Sequence, residues 1–145
     1  MMCKGSPFQT FSASNEEYYA MLDYVMESAA RSGMSEKQKM RLELGFEEAA
    51  SNVINYAYGE RADGKIHVSA YRDGEKFFVE IKDSGEPFNP LDVEEKNDQP
   101  TTLEDAKVGG LGISFMRRIF DEMTYHYGKD GELFFNRLTL GMKLT

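Results

Sequence analysis

The feature of this sequence that most restricts its fold is a change of hydrophobic period partway along the chain. In residues 65–83, and again in the last hairpin from Tyr125, apolar residues alternate with polar ones, and each of these stretches is interrupted by a turn, at Asp73-Gly74 and at Asp130-Gly131. Asp-Gly between two alternating runs is typical of a β-hairpin. Because hairpins join antiparallel neighbours, the pattern argues against an alternating βαβ protein.

Two amphipathic helices are predicted before these strands. Ser14 with Glu17, and Ser35 with Gln38, match the capping box that marks a helix N-terminus. Behind each box, apolar residues recur at steps of three and four, as on the buried face of a helix. We expect the second helix to continue to about Tyr58.

A third helix is predicted after a glycine-rich segment. Its apolar face consists of Ile113, Met116, Ile119, Phe120 and Met123. The resulting order is strand, helix, helix, two strands, loop, helix, two strands. It predicts one domain, residues 1–145 with a core of about 8–145, that forms an α+β two-layer sandwich: a mostly antiparallel sheet with helices on one face.

The net charge and the cysteine content exclude some classes of partner and indicate the cellular setting. The formal net charge of −8 argues against direct binding to nucleic acid or to an anionic membrane, since both require a positive surface. The single Cys3 cannot form an internal disulfide. We find no signal peptide and no apolar run long enough to span a membrane, so we expect a cytoplasmic protein.

Glu48 and Asn52 lie four residues apart on the second helix, and therefore on one face of it. An amide oxygen is a suitable ligand for a hard cation such as Mg²⁺, and a carboxylate can orient or deprotonate a nucleophile. The same spacing also occurs on solvated helix faces. Glu47 is the competing carboxylate, about 100° away around the helix.

Asp83 ends the second strand of the first hairpin, in the same parity as Phe77, Val79 and Ile81. Its side chain is therefore predicted to face the helices, where a carboxylate needs a basic group or a hydrogen-bond donor such as an adenine amino group. Alternatively, Asp83 starts an ordinary turn. Gly85 and Pro87 would shape the turn under the base, the glycine by allowing close approach and a positive φ, and the proline by its rigidity.

Gly109, Gly110, Leu111 and Gly112 precede the third helix. Backbone N–H groups in such a loop, next to a helix N-terminus, can bind phosphate. Three glycines among four residues also form a generic hinge, and the segment is not a Walker loop. The aperiodic residues 84–108 before it, which include Pro87, Pro90 and Pro100, are typical of a functional loop.

Together these three segments resemble the GHKL ATPase superfamily with its Bergerat fold, and most closely its anti-sigma-factor serine/threonine kinase branch. Glu48-Ala-Ala-Ser-Asn52 looks like the N box, Asp83-Ser-Gly85-Glu-Pro87 like the G1 box, and Gly109-Gly110-Leu111-Gly112 like the G2 box. The likeness covers nearly the whole chain from Phe8 onward.

The resemblance implies a role for each motif. Glu48 would be the general base towards a substrate hydroxyl, and Asn52 would hold Mg²⁺ on the phosphates of ATP. Asp83 would bind the adenine amino group. The remaining ATP-binding residues would be Gly85 and Pro87 near the base, Gly109, Gly110, Leu111 and Gly112 at the phosphates, and Asn136 reaching adenine through water, with residues 89–108 as the ATP lid.

The resemblance also implies partners. The chain would phosphorylate an anti-sigma-factor antagonist of the STAS type and would sequester a sigma factor when that antagonist is not engaged; a homodimer is a further expectation. The alternative is a non-catalytic module in which ATP only orders the lid and sets partner affinity. A third possibility is an α+β interaction domain that binds no nucleotide.

Overall fold

The computed structural model describes residues 8–57, 64–87, 89–92 and 116–144. Its elements follow the predicted order. They are β1 (Gln9–Ser12), α1 (Tyr18–Arg31), α2 (Glu36–Asn52), a π-helical turn (Val53–Ala57), β2 (Lys65–Asp73), β3 (Lys76–Asp83), a 3₁₀ turn (Pro90–Asp92), helical residues 116–119, β4 (Glu122–Asp130) and β5 (Leu133–Lys143).

The two capping boxes behave differently. At α2 the box is complete: Ser35 Oγ accepts from the Gln38 N–H, and the Gln38 side chain accepts from the Ser35 N–H. Before α1 the Ser14 hydroxyl accepts from the Glu17 N–H, but the Glu17 carboxylate accepts from the Ser12 N–H instead. This arrangement closes a turn ahead of the helix, so α1 begins three to four residues later than the sequence predicts.

The five strands form one sheet in the order β1-β2-β3-β5-β4, and every neighbouring pair is antiparallel. Both predicted hairpins turn at glycines with positive φ, +66° at Gly74 and +70° at Gly131, a conformation that suits glycine. The assignment of Met123 to the third helix is wrong. Met123 lies in β4 opposite Leu140, where its backbone joins the sheet and its side chain still packs against the core.

The helices cover one face of this sheet, as predicted. Residues of β2, β3 and β5 that share one parity are buried with the apolar faces of α1, α2 and residues 116–120. The Ser28 hydroxyl on α1 donates to the Ala70 carbonyl of β2 at 2.8 Å, which fixes the helix to the sheet. The inward strand residues are Ile66, Val68, Ala70, Phe77, Val79, Ile81, Leu138, Leu140 and Met142.

Gly45 lets α2 approach the third helical segment closely. A Cβ atom built at Gly45 would lie 2.6 Å from Cε2 of Phe120 and 3.1 Å from Cγ2 of Ile119, and both of these side chains are buried. Gly45→Ala gains roughly 1 kcal/mol of helix propensity. It also forces an overpacked contact that costs about 1–3 kcal/mol.

We therefore expect Gly45→Ala to lower the free energy of unfolding by about 1 kcal/mol, the difference between these two effects. Denaturant unfolding measures this change directly. Glu43→Ala, at an exposed position on the same helix, is the control and should change stability by less than about 0.5 kcal/mol. A stabilised Gly45→Ala variant would contradict the close contact.

Candidate functional site

One cavity lies where α2 faces strands β3, β4 and β5. Its volume of about 20 Å³ has room for about one water molecule. Mostly apolar walls with a few convergent polar groups are typical of a ligand site. The lining residues are Ala49, Asn52, Val53, Ile81, Asp83, Pro90, Tyr125, Asn136 and Leu138.

Asp83 faces this cavity, and its parity was predicted correctly. Its side chain is 3% exposed, and burial raises the pKa of its carboxyl, although hydrogen bonds from Asn136 and Gly85 oppose the shift. Both of these bonds end on Oδ1, at 2.9 Å from Asn136 Nδ2 and 2.9 Å from the Gly85 N–H. No described residue donates to Oδ2, so this oxygen is the acceptor that Asp83 offers to a ligand.

Asn136 lies directly opposite Asp83 on β5 and is 4% exposed. Besides Asp83, its Nδ2 donates to the Glu86 carbonyl at 2.9 Å and lies 3.4 Å from the Gly85 carbonyl. Its Oδ1 accepts a hydrogen bond from the Tyr125 hydroxyl. Because three acceptors surround the amide nitrogen and one donor meets the amide oxygen, the orientation of the amide is fixed by its neighbours.

Asn52 ends α2 and is 7% exposed. Among the described residues, its Nδ2 is the one side-chain nitrogen or oxygen atom that is itself fully buried and has no hydrogen-bond partner. Such groups are rare and call for a ligand, a water molecule or an ion. The following residues Val53–Ala57 form a π-helical turn, a local widening of the helix that is frequent at functional sites.

Glu48 is half-buried, one helical turn before Asn52. Burial raises the pKa of its carboxyl, and the neighbouring carboxylate of Glu47 raises it further. A carboxyl whose pKa is shifted towards neutrality is better suited to accept a proton from a hydroxyl. Glu48 does not line the cavity itself, whereas the competing Glu47 is exposed.

The G1 turn is described only in part. Gly85 is buried, while Pro87 is exposed and outside the cavity lining. The described glycines with positive φ are Gly33, Gly74 and Gly131, so the expectation of a positive φ at Gly85 is wrong. Its contribution here is the N–H bond to Asp83.

Only the start of the expected lid lies within the described residues. Pro90 is buried against the cavity, and the Arg117 guanidinium donates to the Leu91 carbonyl at 3.0 Å. Residues 93–108 and the G2 residues Gly109, Gly110, Leu111 and Gly112 lie outside the described residues. Their assignment to phosphate binding stays a prediction.

Sequence reasoning missed Tyr125 as a site residue. The hairpin pattern could have identified it. Counting back along both strands from the Gly131 turn places Tyr125 opposite Leu138, next to Asn136 and on the helix-covered face.

The part of the chain that the structure describes contains no group of three or more His, Cys, Asp or Glu placed to hold a metal. No helix within it is both long and apolar enough to cross a membrane.

Comparison with known families and proteins shows what this chain is similar to. The model of the histidine kinase-like ATPase domain matches residues 11–135. The serine/threonine-protein kinase BtrW of Bordetella bronchiseptica is 27% identical over 112 residues, which cover 77% of this chain and 75% of that protein. The serine-protein kinase RsbW of Bacillus subtilis is 24% identical over 112 residues, 74% of this chain and 69% of that protein.

Solved structures share the fold. A chain in the SiaB–SiaC complex from Pseudomonas aeruginosa aligns with a TM-score of 0.65 at 13% identity, covering 92% of this chain and 88% of that one. The catalytic domain of histidine kinase ThkA aligns with a TM-score of 0.51 at 19% identity, covering 97% of each chain. The predicted fold class, an α+β sandwich of the Bergerat type, is thereby confirmed.

Proposed function

This chain belongs to the histidine kinase-like ATPase domain family, and we propose that it is an ATP-binding kinase that phosphorylates serine or threonine in a protein partner. The observation that carries the proposal is that two polar groups with hydrogen-bonding capacity to spare line one cavity. Asp83 presents an oxygen with no described donor, and Asn52 presents an amide nitrogen without a partner. Both are groups that a nucleotide can satisfy.

Asp83 is the proposed adenine contact. An ionised carboxylate can accept only hydrogen bonds, and its Oδ2 suits the 6-amino group of adenine. The apolar walls, which include Ala49, Ile81 and Leu138, fit the faces of a base. Because the cavity has room for about one water molecule, binding of the base requires its walls to separate. Pro90 lies in the three-residue 3₁₀ turn Pro90–Asp92, the shortest of the elements that line the cavity.

Asn52 is the proposed magnesium ligand, since its amide oxygen is the kind of hard, neutral donor that Mg²⁺ accepts. Its unpartnered nitrogen would gain an acceptor from a phosphate oxygen. When bound, Mg-ATP supplies the phosphoryl group and the cation that neutralises its charge. Gly109, Gly110, Leu111 and Gly112 remain the proposed backbone donors to the phosphates.

Glu48 is the proposed general base or orienting group for the attacking hydroxyl. Its raised pKa and its place one turn before Asn52 support this role, because phosphoryl transfer depends on positioning the nucleophile in line with the phosphate. The relatives BtrW and RsbW are named as serine/threonine-protein and serine-protein kinases. This supports a hydroxyl-bearing side chain as the acceptor.

The proposed partner is an anti-sigma-factor antagonist with a STAS domain, with a sigma factor as the second, alternative partner. A homodimer in the cytoplasm is part of the same proposal.

The competing function, an ATP-dependent binding module without catalysis, is favoured by one observation. The cavity must open for ATP to enter, so nucleotide binding is coupled to a change in its walls, Pro90 among them, which can by itself alter a partner surface.

A calorimetric titration with ATP, with and without Mg²⁺, followed by incubation with γ-labelled ATP and STAS-domain proteins of the source organism, tests the proposal. We expect Mg²⁺-dependent binding and transfer of label to serine or threonine of one of these proteins. ATP binding that changes partner capture without any transfer would favour the binding module. A chain that binds no ATP at all would refute the nucleotide site.

A further inference from the structure

The hydrogen bonds of Asp83 are distributed unequally between its two oxygens. A carboxylate oxygen has two lone pairs. Oδ1 uses both, one for the Gly85 N–H and one for Asn136 Nδ2, each at 2.9 Å. Oδ1 is therefore saturated by the protein, and a ligand meets Oδ2 alone.

This saturation depends on the amide of Asn136, which cannot turn freely. The Tyr125 hydroxyl donates to its Oδ1, while the Glu86 carbonyl accepts from its Nδ2 at 2.9 Å. Reversing the amide would set its oxygen against the Asp83 and Glu86 oxygens, which can only accept. Tyr125 and Asn136 thus form a clamp on the Asp83 carboxylate, and both are among the residues that line the cavity.

Purines differ in what they offer to a carboxylate. Adenine presents the donors of one amino group at C6, which a single oxygen can accept. Guanine presents N1–H and the 2-amino group side by side, a pair that fits the two oxygens of one carboxylate, as a bidentate partner does. At the position of the adenine amino group, guanine carries a carbonyl oxygen, which an ionised carboxylate repels.

We propose that Asn136, held in place by Tyr125, determines base specificity: by saturating Oδ1 it makes Asp83 a one-oxygen acceptor that selects adenine over guanine. The inference rests on the proposed function, since it requires the base of ATP to lie at Asp83. It assigns Asn136 a positioning role through Asp83, in place of the water-mediated contact to adenine expected from the resemblance.

The test compares the dissociation constants of ATP and GTP for the parent chain, Asn136→Ala and Tyr125→Phe. Asn136→Ala releases one lone pair of Oδ1 and lets the carboxylate rotate, so the preference for ATP over GTP should fall by roughly tenfold. Tyr125→Phe loosens the amide and should lower the preference by about threefold. Thr139→Ala, a truncation on the opposite face of the same strand, should leave the preference unchanged.

A pH series separates positioning from a structural role. The bond from Asn136 lowers the pKa of Asp83, so in Asn136→Ala the loss of ATP affinity on acidification should begin at a higher pH than in the parent. The other titratable residue among the described lining residues is Tyr125, and Glu48 lies one turn away on α2. If Asn136→Ala affected only the stability of the fold, the pH at which ATP affinity is lost would be the same as in the parent.

The outcomes distinguish the two proposals. A parent chain that binds ATP, together with variants that keep the parent's ratio of GTP to ATP affinity, overturns the specificity role and leaves the nucleotide site standing. A parent chain that binds neither nucleotide overturns the site and this inference with it. If Asn136→Ala does not fold, Tyr125→Phe, which loses one hydroxyl, decides the question by its own ratio.

Discussion

Replacing Asp83 with asparagine is expected to abolish ATP binding while leaving the unliganded chain at least as stable as the parent. The new amide oxygen can accept the bonds that Oδ1 now accepts from Gly85 and Asn136. Its NH₂ group would then take the place of Oδ2 and meet the adenine amino group donor to donor. We expect at least about a 100-fold loss of ATP affinity, because a bond to a charged acceptor is lost and a buried donor is left without a partner.

The expected stability of the Asp83→Asn variant follows from the pKa of the Asp83 carboxyl. Burial raises the pKa of Asp83 above its unfolded value, so the native state binds more protons than the unfolded state between the two pKa values. The contribution of Asp83 to stability is therefore fully present below the unfolded pKa and is lost as pH rises through the folded pKa. The neutral amide of the Asp83→Asn variant carries no such penalty at neutral pH.

Calorimetry for binding and denaturant unfolding at pH 7 measure the two halves of the prediction separately. Asp73→Asn, an exposed aspartate at the end of the neighbouring strand, is the matched control and should change neither quantity appreciably. Near-parental ATP affinity in Asp83→Asn would rule out Asp83 as the base contact. A large loss of stability would mean that its charge, and not only its hydrogen bonds, supports the fold.

Glu48→Gln is expected to have the opposite profile, with ATP binding retained and phosphoryl transfer lowered by about 10²–10⁴-fold, the usual contribution of a general base. Glutamine keeps the shape of the side chain but cannot accept the proton. Because the base acts in its ionised form and its pKa is raised, transfer by the parent should increase with pH through that pKa. In Glu48→Gln, the residual transfer should no longer increase with pH in this range.

Single-turnover transfer of label from ATP to the STAS-domain partner provides the measurement, with ATP affinity determined in parallel. Glu47→Gln is the adjacent control, since Glu47 is exposed and lies on another side of the helix. If Glu48→Gln and Glu47→Gln lost transfer activity equally, the net charge of α2 would be the cause, and not a specific base. Unchanged transfer in Glu48→Gln would remove Glu48 from the mechanism.

Local patterns were sufficient to predict much of this molecule. The alternation of Phe77, Val79 and Ile81 predicted that Asp83 is buried on the helix side, and the structure confirms it. Helical spacing placed Glu48 and Asn52 on one face of α2. These inferences succeed because they need only the period of one element.

Features that depend on contacts between distant segments were not predicted. Gly45 is in close contact with Phe120, far along the chain, and nothing in the sequence around Gly45 records that neighbour. Met123 shows the ambiguity of short apolar spacings: it is three residues from Phe120, as in a helix, yet two from Tyr125, as in a strand. Pairing with β5 decides in favour of the strand.

The unpartnered nitrogen of Asn52 has a consequence for the protein's lifetime. A buried polar group without a partner lowers the stability of the unliganded chain, whereas a ligand at 100 times its dissociation constant adds about 2.7 kcal/mol. With the ATP site proposed above, the fraction of molecules that open and become accessible to proteases should therefore fall as the nucleotide concentration rises. We expect such a chain to be degraded faster in an energy-starved cell, so that its abundance follows the supply of ATP.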